Sequence, residues 1–178
     1  MTPKLYVLVG MIASGKSTYC KNAAKRGQVI MNDDAIVNML HADEYTLYDK
    51  KLKILYKSIE NNIISLGLCM ARSVVIDRGL NVSISARQRW IAIARSFDVP
   101  CEAIVFPKVE NEIHAKRRFE SASRGHSYDY WLKVAVEHDK QYEEPTCAEG
   151  FDKVQCVTYA DIISGLVVSD PTYNYKGK

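Results

Sequence analysis

Apolar and polar positions fall in blocks along the chain, and the blocks switch between strand and helix periods. Leu5–Val9 is an unbroken apolar run of strand length, suited to a sheet covered on both faces. Residues 10–15 interrupt it as a loop, and residues 17–25 read as a helix ended by Gly27. Residues 29–31 form a second short apolar run. Asn32, Asp33 and Asp34 then offer an N-cap and an acidic first turn for a helix reaching about Leu40. From 45 to about 66 one long helix is expected, because Leu52, Leu55, Tyr56, Ile59 and Ile63 recur at three- and four-residue steps. Gly67 is its expected stop.

The same alternation continues to the end. Residues 73–76 predict a third strand with Asp77 at its carboxyl end. Ser85, Ala86, Arg87 and Gln88 have capping-box spacing and open a helix through Phe97. Beyond Pro100 a fourth strand is expected over 102–106, then a basic helix over 111–119, a polar loop over 120–127 and a helix over 128–142. Residues 145–150 form a turn region and 153–158 a fifth strand. Residues 1–168 are expected to form one domain, with 169–178 a polar tail and a candidate for disorder. Strands alternating with helices predict an α/β fold: a mostly parallel sheet of about five strands with helices on both faces. Ligands of such sheets bind outside the carboxyl ends of the strands.

That rule gives the polar residues their meaning. Gly10, Met11, Ile12, Ala13, Ser14, Gly15, Lys16 and Ser17 fit G-x-x-x-x-G-K-[ST], between an apolar strand and a helix. The glycines let backbone N–H groups wrap phosphate oxygens, and a helix N-terminus adds positive potential. Gly10, Ala13, Ser14, Gly15, Lys16, Ser17 and Thr18 are the candidate nucleotide-binding residues. Lys16 is expected on the β- and γ-phosphates and Ser17 on magnesium. A P-loop NTPase fold binding ATP and Mg2+ follows.

Asp33 and Asp34 follow the second strand directly. A carboxylate there can accept a proton from a substrate hydroxyl, or simply cap a helix. Asp33 is favoured as the base and Asp34 as the capping or structural acid. Asp77 is placed to contact magnesium through water. Asn81 could bind substrate or hold its loop. Lys116, Arg117, Arg118 and Arg124 bracket the polar loop, where guanidinium groups can close over a triphosphate. Tyr128, Tyr130 and Trp131 could stack a base, although their helical spacing suits core packing better; Arg87 and Arg89, beside Trp90, are similarly open.

Composition narrows this reading only a little. The chain has 178 residues, 47% of them hydrophobic and 25% charged, with a net charge of +3. An extended nucleic-acid groove is usually more basic, so any such contact should be local. The five cysteines are irregularly spaced and the four histidines do not fall at ligand spacing with them, which argues against a disulfide framework or a zinc site. A reducing cytoplasm is the expected location, of a host cell if the chain is phage-encoded. The short apolar start runs into the Gly-Lys-Ser loop, unlike a signal peptide, and no run is long enough to span a membrane.

Taken in order, the Gly-Lys-Ser loop, Asn32-Asp33-Asp34, Val75-Ile76-Asp77 with Leu80-Asn81, and the arginine-bearing lid ending Arg124-Gly125 resemble the kinase domain of the phage polynucleotide 5′-kinases. The resemblance runs from the first strand to about Thr158. It implies ATP-dependent phosphorylation of a 5′-hydroxyl on DNA or RNA. It also implies Asp33 as general base, Asp77 as the acid near magnesium, Arg124 as a lid arginine and Arg117 or Arg118 as a second. Two positions depart from it: Ile36 stands roughly where the family has a substrate-phosphate arginine, and Gly79 where a polar residue is more usual. Both lie on the acceptor side. Other acceptors remain open: a hydroxymethylated base in phage DNA, or a nucleoside, sugar or antibiotic. A nucleotide-dependent switch would leave Asp33, Asp77 and the lid arginines surplus.

Overall fold

The computed structural model describes residues 2–122 and 124–164. They form a five-stranded sheet in the order β2-β3-β1-β4-β5, from β1 (Leu5–Val9), β2 (Val29–Asn32), β3 (Val74–Asp77), β4 (Cys101–Val105) and β5 (Lys153–Cys156). Every pairing is parallel. The helices are α1 (Lys16–Lys25), α2 (Asp33–Leu40), α3 (Lys53–Cys69), α4 (Ile84–Ser96), α5 (Asn111–Ala122), α6 (Tyr128–Lys140) and α7 (Tyr159–Ser164). The expected α/β fold is present. The boundary placed at 168 and the tail 169–178 lie outside the described residues.

The apolar run of β1 is explained by its position at the centre of the sheet. Leu5, Val7 and Val9 face one core with Tyr56, Ile64, Trp90 and Ile91. Tyr6 and Leu8 face the other with Tyr19, Phe106 and Ile162. A strand buried on both faces needs apolar residues at every position.

Several boundaries differ from expectation. The long helix begins only at Lys53, after two short 3-10 turns, Tyr45–Leu47 and Lys50–Leu52. Tyr48 is extended between them, and the Asp49 carboxylate accepts from Lys51 N at 2.8 Å, a local bond that competes with helix. The helix also runs past Gly67 to Cys69. A Cβ on Gly67 would stand 2.8 Å from Val74 Cγ2, so the glycine marks close packing on β3 rather than a stop. Leu55 turns out to solvent, while Tyr56, Ile64 and Leu68 are buried.

The α4 cap is Ser83, not Ser85. The Ile84 N–H is taken by the Glu143 carboxylate at 2.8 Å, and Gln88 donates to Glu149 O at 3.1 Å instead of returning to the helix start. Helix α5 continues through Ala122, which shortens the expected loop. The fifth strand stops at Cys156. Thr158 and Asp161 then bond reciprocally and start α7, whose Ile162 packs on Gly15.

Candidate active site

The phosphate loop joins β1 to α1 through a turn few residue types tolerate. Gly15, the residue before α1, has φ 103, which favours glycine. A Cβ on Gly10 would meet Phe106 Cβ and Ser14 Oγ at 2.7 Å. The first turn of α1 carries no acidic residue and no side-chain cap, so its leading N–H groups are open to an anion. Lys16 Nζ donates to Gly10 O at 2.7 Å, Met11 O at 2.6 Å and Ser14 Oγ at 3.4 Å. Burial pushes its pKa down to about 8, against the opposing pull of Asp77. Ser17 and Thr18 are exposed on the first turn and line the same cleft as Ala13, Ser14 and Gly15.

Two strand ends bring the acids together. Asn32 and Asp77 are register partners at the carboxyl ends of β2 and β3. Asn32 caps α2 by accepting from Ala35 N at 2.7 Å and donates from Nδ2 to Asp77 Oδ2 at 2.9 Å. The Cys20 thiol also hydrogen-bonds Asp77, and burial pushes that thiol's pKa up, so it remains a neutral donor. Asp77 is thus buried and held from two sides beside the phosphate loop. Because Asn32 is the cap, neither Asp33 nor Asp34 is needed for that task.

Asp33 accepts from Asp34 N at 3.1 Å and from Arg78 Nε at 3.0 Å. Burial, reinforced by the negative charge of Asp34 and opposed by Arg78, raises its pKa to about 6. Asp34, expected as a capping or structural acid, instead accepts from Arg124 Nη2 at 2.8 Å. Tyr45 also hydrogen-bonds Asp34, and burial first, then that acid, push the phenol up to about 12.

Helix α5 contributes Arg117 and Arg118, and the segment between α5 and α6 contributes Arg124. Arg117 Nη1 donates to Tyr159 OH at 2.5 Å and its guanidinium lies 4.7 Å over that ring. Arg118 lies 4.8 Å over Trp131, and Arg124 4.6 Å over Tyr45. All three line one cleft of about 1400 Å³ together with Lys16, Asp33, Asp34 and Asp77. Gly10 sits at the loop's base, where its carbonyl holds Lys16.

The open alternatives divide. Asn81 is fully buried, donating to Leu8 O and Ile76 O and accepting from Trp90 Nε1, so it holds its loop. Arg87 is buried in a two-point pair with Glu149 at 2.8 Å, and Arg89 pairs with Glu60 at 2.6 Å. Trp131 is buried, but Tyr130 is exposed in the cleft and stacked on His126 with centroids 3.9 Å apart. Ile36 is core. Gly79 lines the cleft, and a Cβ there would lie 3.5 Å from His138 Cε1. Sequence reasoning missed Arg78, His138 and Tyr45. Arg78 alone carried a signal, as a cation adjoining Asp77 at a strand end.

A parallel sheet of this order, with a phosphate loop after its central strand and carboxylates at the ends of the next two strands, makes this a protein of the P-loop kinase fold. The chain belongs to the AAA domain family, whose profile matches residues 5–141. It is 28% identical over 173 residues to the bifunctional polynucleotide phosphatase/kinase of Schizosaccharomyces pombe, a match covering 97% of this chain and 36% of that protein. The chain therefore spans about a third of the length of this curated relative. Among solved structures it resembles the Pnkp1/Rnl/Hen1 RNA repair complex, at TM-score 0.62 and 19% identity over 80% of this chain and 47% of that one. It also resembles shikimate kinase from Bacteroides thetaiotaomicron, at TM-score 0.55 and 13% identity over 92% of this chain and 94% of that one. These two likenesses establish the shared fold. Among the described residues, no helix is long and apolar enough to cross a membrane.

Proposed function

We propose that this P-loop kinase transfers the γ-phosphoryl group of ATP to a 5′-hydroxyl of a nucleic acid. The observation that carries the reading is Asp33: a half-buried carboxylate in the cleft with Lys16, its pKa raised to about 6. A base tuned upward yet ionised at neutral pH suits proton removal from an attacking hydroxyl. The distant relationship over nearly the whole chain to a polynucleotide phosphatase/kinase supports the choice of acceptor.

Each residue has a distinct task in this reading. The loop amides from Ala13 to Thr18 bind the phosphates, and Lys16 turns its ammonium from the loop carbonyls to phosphate oxygens. Asp33 orients the acceptor hydroxyl and takes its proton as the new phosphorus–oxygen bond forms and the ADP oxygen leaves. Arg124, with Arg117 and Arg118, neutralises charge on the transferring group. Ser17 and Asp77 would hold Mg2+, and one or two such oxygen ligands are what this ion takes from protein when phosphates and waters complete its shell. The buried Asp77, held by the Asn32 amide beside Lys16, fits that requirement. When bound, the ion would neutralise charge on the phosphates.

The test is transfer of label from γ-labelled ATP with magnesium to 5′-hydroxyl oligonucleotides, base-modified duplexes and free nucleosides or sugars. Label at oligonucleotide 5′ ends is expected; label on small molecules alone would overturn the acceptor assignment. A small acceptor is the second reading, favoured by Asp43 and Glu44, whose charge on the cleft wall opposes a long polyanion.

A further inference from the structure

Arg78 is bound by less than its chemistry allows. It donates to Asp33 through Nε alone, and its two Nη groups make no hydrogen bond among the described residues. A guanidinium satisfied by a carboxylate usually makes the two-point fork. The neighbouring acids are committed elsewhere: Asp77 to Asn32 and Cys20, Glu60 to Arg89, and Asp34 to Arg124. The side chain is 21% exposed and lines the cleft. Gly79 beside it adds no side chain, so nothing at that position covers it. On this wall α2 carries no basic residue of its own, Arg124 reaches it but is paired with Asp34, and Lys53 and Lys57 of α3 are exposed ammonium groups at the cleft margin.

We propose that Arg78 is the specificity-determining residue of the acceptor side: its free Nη groups bind the phosphate attached one sugar away from the hydroxyl that Asp33 deprotonates. The proposal rests on the 5′-hydroxyl kinase reading and names what its acceptor must carry. The same side chain then touches base and acceptor. An acceptor with a charged linkage is drawn onto Asp33 in register, while an uncharged one leaves the two Nη groups without an acceptor in a half-buried site. Rejection of the uncharged acceptor comes from those unsatisfied Nη donors as much as from the lost bond.

The experiment compares two oligonucleotides that differ only in the first internucleotide linkage, phosphodiester against neutral methylphosphonate. Wild type, R78Q and R78K are assayed for kcat and KM separately. Wild type is expected to favour the charged linkage in kcat/KM by about ten- to hundredfold, the range of a charge-assisted contact. R78Q should bring that ratio close to one, and R78K should keep part of it as a point charge without the fork. A nucleoside 3′-phosphate against its nucleoside repeats the comparison with a terminal phosphate, separating an end group from a chain linkage. A wild-type ratio near one, or equal losses on both linkages in R78Q, would reduce Arg78 to an orienter of Asp33 and overturn the proposal. The wild-type ratio decides the matter even should R78Q fold poorly. Label on none of these acceptors would instead sink the 5′-hydroxyl kinase reading, and this proposal with it.

Discussion

Arg124 and Asp34, separated by 90 positions in the chain, meet at 2.8 Å, and the same guanidinium covers the ring of Tyr45. The segment that carries Arg124 thereby packs onto the acid beside Asp33 and onto the turn that precedes α3. Arg124→Ala should lower kcat by about ten- to a thousandfold, less than or equal to the effect of an arginine finger, with a smaller change in ATP affinity. Single-turnover label transfer and nucleotide titration separate the two. Loss confined to ATP binding would remove Arg124 from the transferring phosphoryl group.

Asp33→Asn should reduce turnover by about a hundred- to ten-thousandfold while ATP affinity stays within a few-fold. The isosteric amide keeps a contact to Arg78 but cannot take a proton. Turnover near wild type would take the role of base away from Asp33.

The pH dependence has a definite sign on both sides. Asp33 must be ionised, so kcat/KM should fall about tenfold per unit below its pKa near 6. Lys16 must be charged, so the rate should fall again above about 8 in the free enzyme. The stability effect runs the other way. A carboxylate whose folded pKa is raised binds more protons in the native state between 3.8 and about 6, so its ionisation destabilises the fold as pH rises through that window. Asp33→Asn should therefore raise the unfolding midpoint by a few degrees, about 2–4 °C per kcal/mol, at pH 8 and little at pH 4. Thermal melts of both proteins at the two pH values check it.

Lys16→Ala should abolish detectable transfer and weaken ATP binding, since the proposed role of its ammonium is to hold the phosphates. Unchanged transfer would contradict the assignment of residues 10–17.

Gly67→Ala tests the packing that positions β3. The added methyl would sit 2.8 Å from Val74 Cγ2, and the shift needed to relieve it should cost about 1–3 kcal/mol in chemical denaturation. Helix propensity alone predicts the opposite sign, a gain of about 1 kcal/mol. The two accounts are thus separable in one measurement.

Much of this molecule was written locally. The bounds of β1 and α2, the phosphate loop, and the placing of Asp33 and Asp77 at strand ends follow from chain-neighbour effects: an apolar run, glycines where backbone must approach closely, an asparagine before a helix. Such effects act within a few residues and so are visible in sequence. What tertiary structure decided involves partners far along the chain. Glu143 moved the start of α4 to Ser83, Val74 turned Gly67 from a stop into a packing residue, and Asn81, Arg87 and Arg89 became internal supports because Trp90, Glu149 and Glu60 reached them. Arg78 belongs to this second group. Its place in the site depends on which carboxylate lies opposite, and that is set by the pairing of β2 with β3, which brings Asn32 beside Asp77 and so Asp33 within reach of Arg78.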